Sequence, residues 1–474
     1  MAARTPALAV AAAGALAIAA APPPAGLSPA GVGALATTWF AAVCWVTGAL
    51  PLSVTALLVP VWLVGLGVYD RLAPALAGFA DPVVALFLAT FVLAAALRKE
   101  GLDRRVALAV IAAVGTRPRR LVLGLMVAAA GLSMVVSNTA TAAMLVPVAT
   151  GVVRTVRPDA PEESNLHVAA LLGVAYGASV GGVGTLVGTP ANAIVVAQLA
   201  TVGVEVSFFD WMLVGVPVVA VSVPIVWVAL VTLHPPTDDD TASLDAGFVD
   251  PPPVTPTGRR VAVVFLATAA LWVAGSLDVL FAWLPPGVRA RLFGGAGTDG
   301  LLSLAVVGLL AVGVLVAVGA VDEDDVAGID WPTLLLFGGG LSLADALAHT
   351  GATTWLARAV LDPVADAPLL ALVALVVALT VVFSELASNT ATAAVFAPVL
   401  VAFGAGADAV TLAVACGVAA SFGFALPVAT PPNAIVYGSG AVTRGQMLRA
   451  GVVLDVLMAV AATVLVVALA PLVG

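Results

Sequence analysis

The heptad Ser388-Asn389-Thr390-Ala391-Thr392-Ala393-Ala394 occurs twice in this chain, the other copy being Ser137-Asn138-Thr139-Ala140-Thr141-Ala142-Ala143. Each copy reaches a proline nine positions after its Asn, at Pro147 and Pro398. A second matched stretch follows each one: Gly188-Thr189-Pro190-Ala191-Asn192-Ala193-Ile194-Val195, and Ala429-Thr430-Pro431-Pro432-Asn433-Ala434-Ile435-Val436. A third pair precedes them, Leu97 to Gly101 and Leu347 to Gly351, spaced like the heptads to within one residue. The chain therefore holds one module twice. Small polar residues retained among Ala, Val and Leu are a functional signal.

Those surroundings decide the fold class. The 474 residues are 62% hydrophobic and 9% charged, with a mean hydropathy of +1.16. Soluble chains carry about a quarter charged residues, so this composition excludes a soluble fold. It predicts an all-α polytopic membrane protein, in which abundant Gly and Pro are ordinary. Apolar runs long enough to span fall at 7–22, 30–48, 51–69, 80–98, 167–200, 211–233, 261–284, 300–320, 331–348, 409–440 and 448–473. That makes about 11 transmembrane helices, the first of them a retained N-terminal helix within 1–29. The stretches 119–153 and 368–403 carry the heptads in their middles and are too long for one helix, which predicts two re-entrant hairpins. Cys44 and Cys416 read as packing residues.

Loop charge gives orientation. Arg104, Arg105, Arg117, Arg119 and Arg120 follow the first Leu–Gly element, whereas its counterpart is followed by Arg358 with Asp362 and Asp366. The same element is basic in one half and acidic in the other, so the halves face opposite sides of the membrane. This predicts two inverted-topology repeats, at 30–234 and 261–474, joined by a cytoplasmic Pro- and Asp-rich linker at 235–260. The N-terminus is then cytoplasmic and the C-terminus extracellular, in a multi-pass protein of the cell membrane.

Irregular backbone survives in hydrocarbon only where it lines a cavity or is buried in protein. The Gly-rich and Thr-Pro stretches predict breaks within 167–200 and 409–440, because proline removes a donor and clashes with the preceding turn. Broken helices at matching places in two halves point to a transporter's midplane site. Their freed carbonyls and the Ser, Thr and Asn oxygens suit Na⁺, and half-helix N-termini suit an anion. No Arg or Lys stands at membrane depth to neutralise a carboxylate, so bound cations become the natural counter-charge. A single small-polar motif more often serves helix packing; two identical copies, each followed by a helix-breaking Thr-Pro and an Asn, favour a site.

With these residues in hand, the chain resembles the divalent anion:Na⁺ symporter family, carriers of dicarboxylates, citrate and sulfate. The match runs through both Ser-Asn-Thr motifs, both Thr-Pro…Asn loops, and the stretch from Ala420 to Val436. The resemblance implies a homodimer of elevator-type protomers that takes up a C4-dicarboxylate such as succinate, malate or fumarate with at least two Na⁺. It implies one sodium site from Ser133, Ser137, Asn138 and the backbone near Gly188, and another from Ser384, Ala387, Asn389 and the backbone near Ala429. It implies substrate contacts at Ser137, Asn138, Thr139, Thr189, Pro190, Ser388, Asn389, Thr390, Thr430 and Pro431. No organic cofactor and no nucleic acid are expected; the partners are a small dianion and membrane lipid.

Three alternatives stand beside this reading: a Na⁺-independent dicarboxylate exchanger, a Na⁺-coupled sulfate or citrate carrier, and an intramembrane enzyme. The last needs a nucleophile with a base, or paired acids, at membrane depth, and no span offers such a set. Glu385, beside the second heptad, either supports the hairpin through hydrogen bonds or tunes cation binding. Asp345 reads as a paired polar contact. Trp39, Trp45, Trp211, Trp283 and Trp331 read mostly as interfacial anchors.

Overall fold

The computed structural model describes residues 4–115, 117–156, 164–236, 253–295, 298–361, 367–404 and 407–473. Apart from a two-residue antiparallel ribbon, Gly294–Gly295 with Thr298–Asp299, its regular structure is helical, as composition requires. Asp238-Asp239-Asp240, most of the linker, Arg157, Asp362 and Asp366 lie outside the described residues.

Eight described helices are long and apolar enough to cross a membrane. They include Pro29–Thr47, Pro82–Lys99, Phe208–Leu233, Pro256–Gly275, Trp331–His349 and Arg444–Leu469, at positions where apolar runs foretold spans. The runs at 7–22, 51–69 and 300–320 yield the shorter helices Arg4–Ala20, Leu52–Gly65 and Leu304–Ala317. Composition did not announce two further helices, Leu102–Val114 and Ala352–Leu361. Each follows a left-handed glycine, Gly101 at φ 64° and Gly351 at φ 72°, a conformation that Gly alone adopts at no steric cost. These are the third matched pair, and their function is a sharp change of chain direction.

Both hairpins form. The first pairs Pro118–Ser133 with Asn138–Val156, and the second pairs Leu369–Leu386 with Asn389–Phe403. Both broken helices form too: Asn165–Gly181 resumes at Pro190–Ala200, and Ala407–Ala419 resumes at Pro431–Gly438. The modules interlock reciprocally. The return arm Asn138–Val156 packs on Asn165–Gly181 of its own module and on Pro431–Gly438 of the other. Likewise Asn389–Phe403 packs on Ala407–Ala419 and on Pro190–Ala200.

Burial differs across this core: residues 166–181 are buried throughout, whereas Leu369–Leu386 of the second hairpin exposes Leu370, Val382 and Leu386, and the outer helix Pro256–Gly275 exposes Val263 and Leu266. Apolar residues on all sides suit a helix wholly inside protein or facing lipid. At the helix ends, Lys99 joins Asp322 (2.9 Å) and Asp325 (2.6 Å), and its hydrogen bond holds the Asp322 carboxyl below its ordinary pKa.

Close approach in the core depends on glycine. Gly173, Gly177 and Gly181 form a stripe on Asn165–Gly181 that rests directly on the first hairpin. A Cβ at Gly177 would stand 2.9 Å from the Met126 carbonyl oxygen, while Gly131 has open space around it. Small residues at such spacing let helix backbones touch. We therefore expect Gly177→Leu to cost about 1–3 kcal/mol or more through overpacking, and Gly131→Leu to cost nothing. Thermal unfolding of the detergent-solubilised protein checks this; equal melting temperatures for the two variants would refute the contact.

Candidate functional site

The hairpin tips follow from their serines. After Ser133 the helix ends, and Ser137 Oγ accepts from the Ala140 N–H at 3.3 Å as the return arm starts. Ser388 Oγ accepts from the Ala391 N–H at 3.1 Å in the same way. Both heptad serines are thus N-caps, each satisfying an otherwise orphaned N–H. Each tip therefore ends in a helix N-terminus, whose free amides and dipole carry partial positive charge.

The broken helices supply two more such termini, with Pro190 and Pro431 in their first turns. The backbone freed between the helix halves is satisfied by side chains. Asn192 Nδ2 donates to the carbonyls of Gly182 (2.9 Å) and Thr185 (2.8 Å), and Asn433 Nδ2 donates to Gly423 (3.0 Å) and Leu426 (3.1 Å). The two amides do one task at one register, ten and seven residues back in both modules. Trp211 Nε1 donates to the Val183 carbonyl at 2.8 Å, and Thr185 Oγ1 donates to the Met134 carbonyl. Trp211 is 1% exposed, so it is a brace for the first break and not an interfacial anchor; Trp45, 3% exposed, is likewise internal. Trp39, Trp283 and Trp331 are exposed, as anchors require.

In the second break N–H groups are taken as well. Glu385 accepts from Ala425 N–H at 2.7 Å and from Leu426 N–H at 2.8 Å, while Asp455 accepts from Phe424 N–H at 3.1 Å. Glu385 thus ties the second hairpin to the backbone of the break by hydrogen bonds. The residue matched to it in the first module is Met134.

Oxygen atoms converge beside each tip. One atom of the Asn138 amide lies 2.5 Å from Ser133 Oγ and 3.2 Å from both the Ala178 and Gly188 carbonyl oxygens. With nitrogen there, the amide donates to both carbonyls. That orientation leaves every partner satisfied, with the Ser133, Ala178 and Gly188 oxygens gathered around one amide. In the second module Ser384 Oγ stands 3.1 Å from Asn389 Oδ1 and 2.5 Å from the Ala420 carbonyl oxygen. One hydroxyl proton cannot serve both acceptors fully, so oxygens converge here as well.

The structure brings Ser133, Asn138 and Gly188 together, and Ser384 with Asn389. It adds the carbonyls of Ala178 and Ala420, which carry no sequence signal because a backbone oxygen is the same in every residue. Ala387 ends the helix just before Ser388, and a Cβ added at Gly423 would stand 3.2 Å from Ala429 Cβ and 3.3 Å from the Ser384 carbonyl oxygen. Thr139 is exposed, Ser137, Asn138, Ser388 and Asn389 are half-buried, and Thr390 is 8% exposed. Thr189 and Thr430 are buried, and Thr430 Oγ1 is committed to capping, accepting from Asn433 N–H at 3.3 Å. Pro431 is exposed and Pro190 half-buried. Asp345 is a paired polar contact: Tyr69 Oη donates to it at 2.6 Å. Sequence reasoning passed over Tyr176 and Asp455; an acid inside an apolar span was a usable signal for the latter.

A model of the sodium:sulfate symporter transmembrane region matches residues 3–473. The chain belongs to that family. An uncharacterized transporter of Haemophilus influenzae is 36% identical over 434 residues, covering 90% of this chain and 89% of that one. A sodium-dependent dicarboxylate transporter, SdcS, of Staphylococcus saprophyticus is 32% identical over 468 residues, covering 94% and 88%. Among solved structures, the YdaH transporter of Alcanivorax borkumensis aligns with a TM-score of 0.57 at 18% identity, covering 83% of this chain and 85% of that one. MtrF of Neisseria gonorrhoeae aligns at 0.55 with 13% identity, covering 83% and 81%. These two share the fold. As a member of the sodium:sulfate symporter family, the chain is a multi-pass membrane transporter and not an enzyme.

The amide braces give a direct test. Asn192→Leu and Asn433→Leu each strip the donor from two buried carbonyls, and an unsatisfied buried polar group costs about 1–3 kcal/mol. Both variants should melt below wild type, and by similar amounts, in detergent. A neutral result at either position would show that its loop is held by other contacts.

Proposed function

We propose that this chain couples inward Na⁺ flow to uptake of a divalent anion, most specifically a C4-dicarboxylate such as succinate, malate or fumarate. One observation carries the reading: two matched oxygen clusters stand beside four helix N-termini, in segments without any basic side chain of fixed charge. Residues 121–153, 165–200, 367–403 and 407–443 contain no lysine or arginine. A dianion drawn to helix N-termini still needs counter-charge at membrane depth, and two bound Na⁺ supply it. Transport of the anion is then tied to sodium by electrostatics.

In this reading the first Na⁺ is held by Ser133, Ser137, Asn138 and the carbonyls of Ala178 and Gly188. The second is held by Ser384, Ala387, Asn389 and the carbonyls of Ala420 and Ala429. The substrate's carboxylates meet Asn138-Thr139, Asn389-Thr390 and the N-termini that open at Thr189-Pro190 and Thr430-Pro431. The dicarboxylate assignment draws on the printed activity of SdcS; sulfate or citrate is the competing cargo within the family.

The hairpins and broken helices interlock too closely to deform separately, so the proposed movement is of the whole core, an elevator motion past the lipid-facing helices. The two modules are read as inverted repeats with the Arg-rich segment after Gly101 cytoplasmic, the N-terminus inside and the C-terminus outside. The protein is placed in the plasma membrane as a homodimer.

Uptake of radiolabelled succinate into proteoliposomes tests this reading, with an inward Na⁺ gradient or with choline in place of Na⁺. Wild-type uptake should require Na⁺, and Asn138→Ala should lower it at least tenfold. Uptake that ignores Na⁺ but needs internal succinate would make the protein an exchanger. Accumulation of sulfate or citrate in place of succinate would overturn the cargo and leave the coupling.

A further inference from the structure

The second broken helix is held in part by the first module. Tyr176 lies on Asn165–Gly181, two residues before Ala178, whose carbonyl faces Asn138 in the first oxygen cluster. Its Oη donates to the Phe424 carbonyl at 2.9 Å, and its ring meets the Phe424 ring edge-on at 5.0 Å between centroids. Both residues are fully buried.

Phe424 leads straight to the second cluster. Its N–H is held by Asp455, and the next two N–H groups by Glu385. Its neighbour Gly423 is pressed so close that a Cβ there would stand 3.3 Å from the Ser384 carbonyl and 3.2 Å from Ala429 Cβ. Short contacts therefore run from Ala178 through Tyr176, Phe424 and Gly423 to Ser384. The tie has no counterpart at the matched position: at the register set by Asn192 and Asn433, Tyr176 corresponds to Gly417, which has no side chain to make it.

We infer that Tyr176 is a positioning residue that couples the two cation sites. A cation in the first cluster fixes the helix around Ala178; through Tyr176 this fixes Phe424, and with it the geometry at Ser384. Sodium binding in the two modules is then cooperative. Coupling between sites is typically about 5- to 150-fold in affinity, and it is shown only by measuring it. The inference rests on the sodium-coupled reading above.

The test is a sodium titration of thermal stability in detergent at constant ionic strength, with choline as the replacement cation. Ligands that bind only the folded state raise its melting temperature by mass action. Wild type should be stabilised by Na⁺ with a sigmoidal dependence. Tyr176→Phe, which keeps the ring and loses one hydroxyl, should give a shallower curve with its midpoint raised about fivefold or more. Asp455→Ala should shift the midpoint likewise, and Asp455→Asn, which still accepts from Phe424 N–H, should restore it. A Tyr176→Phe curve that starts lower but keeps the wild-type slope and midpoint would reduce the tyrosine to a structural contact and overturn the coupling. Absence of any Na⁺ effect in wild type would instead remove the sodium-coupled reading, and this inference with it.

Discussion

Backbone amides and carbonyls released inside a membrane protein must find partners, because hydrocarbon offers none. Two helices of this chain break inside buried apolar segments, and the arrangement of the core follows from how each break is satisfied. Asn192 and Asn433 close the gap with one side-chain amide each. An amide suits the task because it offers two donors on a short, stiff stem. A helix broken in this way exposes free N-termini and carbonyls to a ligand without exposing them to lipid.

The two breaks differ in sign. Side-chain donors from Asn192, Trp211 and Thr185 engage the first break and its hairpin tip. The second break is held by carboxylates of Glu385 and Asp455 on its N–H groups, with Tyr176 on one carbonyl. Backbone repetition is therefore close to symmetric while the supporting chemistry is not.

The duplicated heptads and Thr-Pro…Asn stretches made the paired helices and the breaks legible in the sequence, because small polar residues in an apolar chain have few other uses. The helices after Gly101 and Gly351 were not legible as helices: they are 13 and 10 residues long, too short to register as spans. The carbonyls of Ala178 and Ala420 were invisible, since a main-chain ligand leaves no trace in residue identity. Trp211 misled for the opposite reason. An indole near a predicted span end fits the membrane interface, yet its N–H found a carbonyl deep in the core. Tyr176 and Asp455 occur in one module only, so a search for repetition passes over them.

Packing then decides what kind of motion the core permits. Interiors at crystal-like density do not deform continuously, and the glycine stripe on Asn165–Gly181 leaves no room for a methyl group at Gly177. Each return arm is also wedged against the broken helix of the opposite module. Opening one hairpin alone would separate that arm from both neighbours at once and uncover braced carbonyls on each side. The helices Phe208–Leu233 and Arg444–Leu469 are tied to the same core by Trp211 on the Val183 carbonyl and Asp455 on the Phe424 N–H. The reciprocal wedge that makes local opening costly also holds the two half-sites in register with one another.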